Sequence, residues 1–255
     1  MECQLAVSAK YIRQFLVVTL LSIVFYGVSA AWSGIDEIWA SLVRIGWVGW
    51  SIILGLSLFN YSLRFVRWDY YLRQLDCHVS LGANVSAYLA GFAFTTTPGK
   101  VGEAIRSYYL KRYNISYLHS LSALFVERLV DLISMLIVAS MAVYAFENMR
   151  WLIGVTFLTA VALLPLIHSQ LFYRFLGWVK SRLSSKRLQE LGEYVLSMLH
   201  TSARLLRSGP LYYGLFIGLV AWGAEGYAFY VVLDRLGADM GVFLATGIYG
   251  IGILA

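Results

Sequence analysis

The segment that decides the fold reads Thr95-Thr96-Thr97-Pro98-Gly99-Lys100-Val101-Gly102-Glu103-Ala104-Ile105-Arg106. Three β-branched threonines before a proline disfavour a helix there, because proline biases the preceding residue away from the α region. Gly99 and Gly102 allow a tight turn, so Pro98, Gly99 and Gly102 are predicted to form a structural hinge. Glu103 and Arg106 then fall three residues apart on one helical face, where an ion pair can form. The segment therefore predicts a break between two helices.

Composition indicates that this break lies in a membrane. The 255 residues are 60% hydrophobic and only 13% charged, whereas soluble domains have about 25% charged residues. The chain is predicted to be an all-α, polytopic integral membrane protein with a single membrane domain and no soluble domain that has its own core. A break at membrane depth is tolerated only where it packs against protein or lines a wet cavity, so it indicates a site.

Long apolar runs predict about five full spans, near 14–33, 45–66, 118–146, 151–168 and 211–233. The run 81–94 has 14 residues, which make a helix of about 21 Å, too short for a bilayer of about 30 Å. We predict a re-entrant helical hairpin over 80–106; a helix extended through Thr97 to make a full span is the alternative. Residues 170–208 have the pattern of amphipathic surface helices. The apolar segment 241–255 has no polar end, so the membrane domain is expected to be incomplete at its C-terminus.

Lys and Arg residues lie mostly on one side of these spans. Two lie near the N-terminus, seven in 64–112 and seven in 174–207, whereas the other side has Arg44, Arg150 and Arg235. Positively charged loops are retained in the cytoplasm, so the sequence predicts a cytoplasmic (inner) membrane protein whose N-terminus is cytoplasmic. The same distribution accounts for the net charge of +6 without a nucleic-acid partner.

A weak internal similarity suggests a repeat. Residues 55–59 and 218–222 each open a span that leads, after a charged junction, into a small-residue apolar stretch. The two spans run in opposite directions, which an inverted repeat requires. Chance similarity between apolar segments is the alternative.

The third predicted span carries charged residues in its interior. Glu127, Arg128 and Asp131 lie near mid-bilayer, where ionisable groups are costly and indicate function. Glu127 and Asp131 share a helix face and would repel, whereas Arg128 can pair with Asp131. The remaining carboxylate is either neutralised by Arg106 or another cation, or it holds a proton. Two interpretations are open: a buried network that pins the hairpin to the third span, or a substrate or proton site.

Arginine suits a phosphate group because guanidinium offers a planar, bidentate fork. The sequence therefore predicts a site for a lipid head group or another substrate, made of Arg106, Arg128, Glu103, Glu127, Asp131, Thr97 and Lys100. Lys100 is expected nearer the head-group boundary. Glu225 is a lone carboxylate in the last span, and it either lines the same cavity or makes a local helix contact.

No pattern in the sequence predicts catalysis. The four histidines lie near span ends without metal-ligand spacing, and there is neither a nucleophile elbow nor a P-loop. No catalytic residue, metal or cofactor is therefore expected. Cys3 and Cys77 are expected to be free thiols, and the oligomeric state is left open.

The motifs resemble the pattern G…(T/S)P…GE..R…ER..D of the lysylphosphatidylglycerol synthase transmembrane-region family. The matching residues are Gly91, Thr97-Pro98-Gly99, Gly102-Glu103, Arg106 and Glu127-Arg128-Leu129-Val130-Asp131. This family is flippase-like and related to the membrane half of the multiple peptide resistance factor. The resemblance implies several spans with re-entrant helices. It implies no aminoacyl transfer, because the synthetase domain of the larger proteins has no counterpart here. Members usually have a second proline- and glycine-rich turn with a glutamate, which this sequence lacks.

We therefore expect a flippase-like transporter of an anionic lipid or lipid-linked head group, either a phospholipid or a polyprenyl phosphate. The alternative is a non-catalytic membrane partner that presents lipid to a glycosyltransferase or a lipid synthase. An intramembrane enzyme is a third and less favoured interpretation. Membrane lipids are the expected partners in each case.

Overall fold

The computed structural model describes residues 34–92, 102–142, 150–182 and 185–254, together with residues 20, 24, 25, 27 and 28. These residues form helices and turns without a strand, which confirms the prediction of an all-α protein. The chain divides into a small unit, Met1–Trp50, and a larger unit, Ser51–Ala255. Most of the predicted span 14–33 lies outside the described residues, as do four residues of the predicted hinge and site: Thr97, Pro98, Gly99 and Lys100.

The described part of the chain contains nine helices: α1 Ile35–Gln74, α2 Leu81–Phe92, α3 Ile105–Leu110, α4 Tyr117–Ser140, α5 Arg150–His168, α6 Gln170–Ser181, α7 Lys186–Leu205, α8 Ser208–Arg235 and α9 Val242–Leu254. A 3₁₀ turn, Lys111–Tyr113, follows α3. Helices α4, α5 and α8 fall on the predicted spans 118–146, 151–168 and 211–233. Helices α6 and α7 fall within the predicted surface segment 170–208.

Helix α1 is longer than the span predicted over 45–66. Asp36 and Glu37, which fall between the predicted spans 14–33 and 45–66, lie in its first turn, where the helix dipole favours carboxylates. The backbone leaves the helical conformation at Gly46, with φ 68° and ψ 167°, a region open to glycine because it has no Cβ. Arg64 and Arg67, which we counted among the seven basic residues of 64–112 on the cytoplasmic side, are instead buried inside the protein.

Two of the described helices, α1 and α8, are long and apolar enough to cross a membrane. Phe157–Leu166 and Gln170–Ser181 form a bent pair, at 87°, that makes a third span if the pair is counted as one. Helix α4 has 24 residues, or about 36 Å, but carries three ionisable residues in its middle. The length and apolar character of these helices indicate an integral membrane protein. The five spans, the inverted repeat and the membrane orientation stay predictions.

Helices α2 and α3 pack against each other. Helix α2 has 12 residues, or about 18 Å, shorter than a bilayer of about 30 Å. Tyr88 and Gly91, near the end of α2, both contact the side chain of Arg106 at the start of α3. The end of α2 therefore lies beside the start of α3, whereas the hairpin itself stays a prediction. Its depth in the bilayer stays a prediction.

Helices α6 and α7 have the surface expected of amphipathic interfacial helices. Large apolar side chains of α6 are exposed, among them Leu171, Phe175 and Trp178. Lys180 of α6 lies 3.6 Å from the Glu193 carboxylate of α7, which joins the two helices by an ion pair. Exposed apolar side chains beside basic ones suit the boundary between head groups and acyl chains.

Helix α4 is the central element of the larger unit. It packs against α3, α5, α7, α8 and α9, and 14 of its residues are buried. Small residues allow the close approach: a Cβ on Gly250 of α9 would come 2.7 Å from the backbone nitrogen of Ala139 in α4. The ionisable residues of α4 therefore lie inside the helical bundle.

Cys77 lies after α1 and is a free thiol, as predicted. Its relative exposure is only 8%, and burial raises the pKa of the thiol. Since the thiolate is the reactive form, this cysteine is expected to react slowly.

Candidate functional site

Seven charged side chains meet where α1, α3 and α4 pack. They are Arg64 and Arg67 of α1, Glu103 and Arg106 at the start of α3, and Glu127, Arg128 and Asp131 of α4. We call these seven residues the charge cluster. Six of the side chains are at most 8% exposed, whereas Arg128 is 27% exposed.

Asp131 joins α4 to two other helices. Its Oδ1 accepts a hydrogen bond of 2.6 Å from Arg67 Nη2 of α1 and another of 3.0 Å from Trp222 Nε1 of α8. Helix α8 can approach because it has a glycine at this level: a Cβ on Gly218 would come 3.0 Å from Arg67 Nη1. One carboxylate therefore holds three helices together.

Arg106 is enclosed on every side by cluster residues and aromatic rings. Its Nη1 donates a 2.9 Å hydrogen bond to Glu127 Oε2, and its Nη2 pairs with Glu103. The guanidinium carbon lies 4.7 Å from the centre of the Trp68 ring and 4.6 Å from that of Tyr88. Desolvated cation–π contacts of this kind contribute about 2 kcal/mol. This geometry holds the start of α3 firmly against α2 and α4.

Arg128 has a different environment. Its Nη2 lies 3.0 Å from Asp131 Oδ2, 3.2 Å from Glu127 Oε1 and 3.5 Å from Glu103 Oε2. Neither its Nε nor its Nη2 makes a hydrogen bond to a described residue. Arg128 thus attracts all three carboxylates of the cluster without the geometry that would fix it to one of them.

Arg64 is the most weakly paired arginine of the cluster. Its Nη2 lies 3.6 Å from Asp131 Oδ2, and its guanidinium lies 5.2 Å from the Trp222 ring centre and 5.8 Å from that of Phe92. Within the described residues, its Nε and Nη2 have no hydrogen-bond partner. The aromatic rings supply part of the stabilisation that a carboxylate would otherwise give.

Counting charges gives the cluster a surplus of one positive charge. Four arginines, which stay protonated in proteins, face the three carboxylates of Glu103, Glu127 and Asp131. Each carboxylate lies within 4 Å of at least two arginines. The surplus favours an anion over a cation. No group of His, Cys, Asp and Glu within the described ranges is placed to hold a metal ion.

Five of the residues predicted for the site are therefore brought together: Glu103, Arg106, Glu127, Arg128 and Asp131. The predicted ion pairs Glu103–Arg106 and Arg128–Asp131 are present, and Arg106 neutralises Glu127 as expected. Glu225 lies outside the cluster, where its carboxylate interacts electrostatically with Arg64. A ligand-binding role for these residues stays a prediction.

The sequence analysis missed Arg64, Arg67 and Trp222. The two arginines follow an apolar run, and such positions are usually at a membrane boundary. A signal was nevertheless present, because Ser57, Asn60, Arg64 and Arg67 are spaced by three, four and three residues and so share one helix face. A polar stripe of this kind on a membrane helix indicates a polar interior beside it.

The fold and the cluster together define a class: a helical integral membrane protein with a buried arginine–carboxylate cluster between α1, α3 and α4. The sequence model of one family, described as lysylphosphatidylglycerol synthase TM region, matches residues 15–255. The chain belongs to this family, which confirms the resemblance seen in the motifs. Comparisons with curated proteins and with solved structures give no match.

Proposed function

We propose that this protein binds the anionic head group of a membrane lipid and moves it across the bilayer, as a flippase-like transporter. The lipid classes are a phospholipid or a polyprenyl phosphate, which share a phosphate group on an apolar chain. In this proposal the protein carries out no chemistry on the lipid.

The environment of Arg128 is the observation that carries the proposal. It is the most exposed member of the charge cluster, at 27%, and two of its nitrogens make no hydrogen bond to a described residue. A phosphate oxygen can accept those hydrogen bonds in a planar, bidentate arrangement. The surplus positive charge of the cluster compensates the charge of the arriving phosphate.

The other arginines have different roles in this proposal. Arg67 and Arg106 are buried and hydrogen-bonded to carboxylates, so we assign them to positioning the helices. Arg64 is joined to a carboxylate only by a 3.6 Å ion pair with Asp131, so it is the second arginine that we expect to contact a phosphate. The bilayer supports the same interpretation, because buried charge inside a membrane is costly and is retained where it serves function.

Reconstitution into liposomes tests the proposal. Vesicles carrying a fluorescent phospholipid or a fluorescent polyprenyl phosphate are treated with dithionite, which bleaches only the outer leaflet, so that movement across the bilayer is measured directly. The wild type should move at least one of the two probes. Arg128→Gln should slow that movement about tenfold or more, because hydrogen bonds to charged groups contribute about 1.5–3 kcal/mol each.

Arg128→Gln is expected to fold, since each carboxylate keeps another arginine: Arg106 for Glu103 and Glu127, and Arg67 for Asp131. Arg73→Gln is the matched control, because Arg73 is 63% exposed and pairs with Asp69 away from the cluster. It should move lipid at the wild-type rate. Equal rates for Arg128→Gln and the wild type would exclude Arg128 as the phosphate ligand.

The same vesicles distinguish the alternatives. Retention of anionic lipid without transbilayer movement would favour a protein that presents lipid to a glycosyltransferase or synthase. A chemically altered head group would favour an intramembrane enzyme. A wild-type protein that neither retains nor moves either probe would refute the proposed function.

A further inference from the structure

A polar stripe on α1 extends beyond the charge cluster. Ser57, Asn60, Arg64 and Arg67 share one face of the helix, and Ser57 lies about 10 Å along the axis from Arg64. Asn60 Nδ2 donates a 2.7 Å hydrogen bond to the backbone oxygen of Ala221 in α8. The face of α1 that carries the stripe therefore lies against α8 at Asn60.

Glu225 of α8 lies at the Ser57 end of this stripe. It is three residues after Trp222, the residue that contacts both Arg64 and Asp131, and so falls on the same face one turn further along. Asn60 contacts Ala221, and Ser57 and Glu225 each lie one helical turn beyond these residues. The half-buried Glu225 carboxylate is therefore placed near the Ser57 hydroxyl, and it interacts electrostatically with Arg64. From α9, Tyr249 interacts electrostatically with Glu225. From α4, Asp131 accepts a hydrogen bond from Trp222, which lies three residues before Glu225.

Glu225 differs from the carboxylates of the cluster in how its charge is compensated. Glu103, Glu127 and Asp131 each lie within 4 Å of two or more arginines. Among the described residues, Glu225 has no arginine or lysine within that distance, and the hydroxyl of Ser57 is neutral. Of the four acidic groups, Glu225 is therefore the one whose negative charge is most easily lost.

The charge of Glu225 decides the balance of the whole stripe. With Glu225 ionised, four carboxylates face four arginines, and the described groups are neutral. With Glu225 protonated, they carry one net positive charge. An arriving phosphate is therefore attracted more strongly to the protonated state.

We propose that Glu225 is a proton-binding site that couples proton uptake to the binding of a lipid phosphate at Arg64 and Arg128. The carboxylate takes one proton from water and becomes a neutral acid, and no covalent bond to the lipid forms or breaks. This inference rests on the proposed function and names its coupling ion. Because linkage is reciprocal, proton binding and lipid binding strengthen each other by the same factor.

Calorimetric titration of the purified full chain in detergent with dioctanoyl phosphatidylglycerol tests the inference. This probe is a phosphodiester, so its own charge does not change between pH 5.5 and 8. Repeating the titration in two buffers with different ionisation enthalpies gives the number of protons taken up. The affinity of the wild type for the probe should fall as pH rises, by up to about tenfold per pH unit. Near pH 8, binding of one probe molecule should be accompanied by the uptake of about one proton.

Glu225→Gln imitates the protonated state. At every pH between 5.5 and 8, this variant should bind the probe with the affinity that the wild type shows at low pH. It should take up no proton on binding. Glu190→Gln, on the exposed side of α7, is the control and should follow the wild type. Ser57→Ala provides a second variant that keeps the carboxylate. It should move the midpoint of the affinity curve to higher pH, because the hydroxyl stabilises the ionised carboxylate.

The outcomes separate this inference from the function on which it rests. If the wild type binds the probe with a pH-independent affinity, or if Glu225→Gln keeps the wild-type pH dependence, the coupling through Glu225 is refuted while lipid binding stands. If the wild type binds the probe at no pH between 5.5 and 8, phosphate binding itself fails.

Discussion

Replacing Arg106 by methionine tests whether the charge cluster holds the helices together. Methionine keeps an unbranched side chain of similar length but removes the positive charge and every donor. Glu127 would keep Arg67 and Arg128 within 4 Å. Glu103 would keep only Arg128, at 3.5 Å. The substitution therefore leaves Glu103 as the most poorly compensated carboxylate.

The expected cost follows from these contacts. Removing one partner of a buried ion pair costs about 3–5 kcal/mol, and the cation–π contacts with Trp68 and Tyr88 add about 2 kcal/mol. A loss of roughly 5–7 kcal/mol is comparable with the whole stability of many domains, about 5–15 kcal/mol. Arg106→Met should consequently be expressed at a low level and unfold at much lower denaturant concentrations than the wild type.

A double-mutant cycle measures the part of this loss that belongs to Glu103. Glu103→Gln, Arg106→Met and the double variant are unfolded in mixed micelles by titration with sodium dodecyl sulfate, and unfolding is followed by tryptophan fluorescence. The double variant has no stranded charge at position 103, so its loss should be smaller than the sum of the single losses by about 0.5–3 kcal/mol. Arg73→Met removes an arginine that is 63% exposed, and it should cost at most about 1 kcal/mol.

Additive losses in the cycle would mean that Arg106 and Glu103 do not stabilise each other in the folded protein. Wild-type stability of Arg106→Met would mean more, namely that the enclosed guanidinium contributes nothing to the fold. Either result would refute the positioning role that we assign to Arg106.

Two further predictions concern close packing and accessibility. Gly91→Ala should destabilise the protein by about 1–3 kcal/mol in the same micelle titration, because the new Cβ would come 2.8 Å from the enclosed Arg106 side chain. Gly82→Ala on the same helix is the control. It should not destabilise the protein, because a Cβ there meets open space. A cysteine at exposed Lys111 should react with an impermeant maleimide from the cytoplasmic side only, and labelling from outside would exclude the hairpin. At pH 7, buried Cys77 should react with the maleimide more slowly than the cysteine at position 111, because burial raises the pKa of its thiol. The reaction rate of Cys77 should increase as pH rises. Equal reaction rates of the two cysteines at pH 7 would contradict the burial of Cys77.

Local sequence rules were enough for helices and for pairs within a helix. Apolar runs gave the positions of α4, α5, α8 and α9, because the length of a span and its hydrophobicity are properties of the segment itself. Helical spacing also gave the pairs Glu103–Arg106 and Arg128–Asp131, since residues three apart on a helix are neighbours in any fold. Both kinds of inference need no knowledge of other helices.

Contacts between helices were out of reach of the same rules. Arg67 meets Asp131 across 64 residues of chain, and Trp222 meets Asp131 across 91. Nothing in the local sequence of α1 or α8 specifies these partners. The sequence analysis consequently counted Arg64, Arg67 and Arg106 as cytoplasmic positive charges, although all three are buried and face carboxylates. The predicted cytoplasmic N-terminus therefore rests on the remaining basic residues.

The cluster has features of both interpretations, a structural network and a binding site. Arg67 and Arg106 donate short hydrogen bonds to carboxylates and are shut off from solvent, which are the properties of a structural network. Arg64 and Arg128 belong to the same cluster but are joined to its carboxylates only by ion pairs of 3.0, 3.2, 3.5 and 3.6 Å. Under the proposed function, the hydrogen-bonded half holds a second half in which guanidinium groups exchange a carboxylate for a phosphate. Such a division is what a binding site needs, because binding groups are effective when neighbouring side chains fix their position in advance.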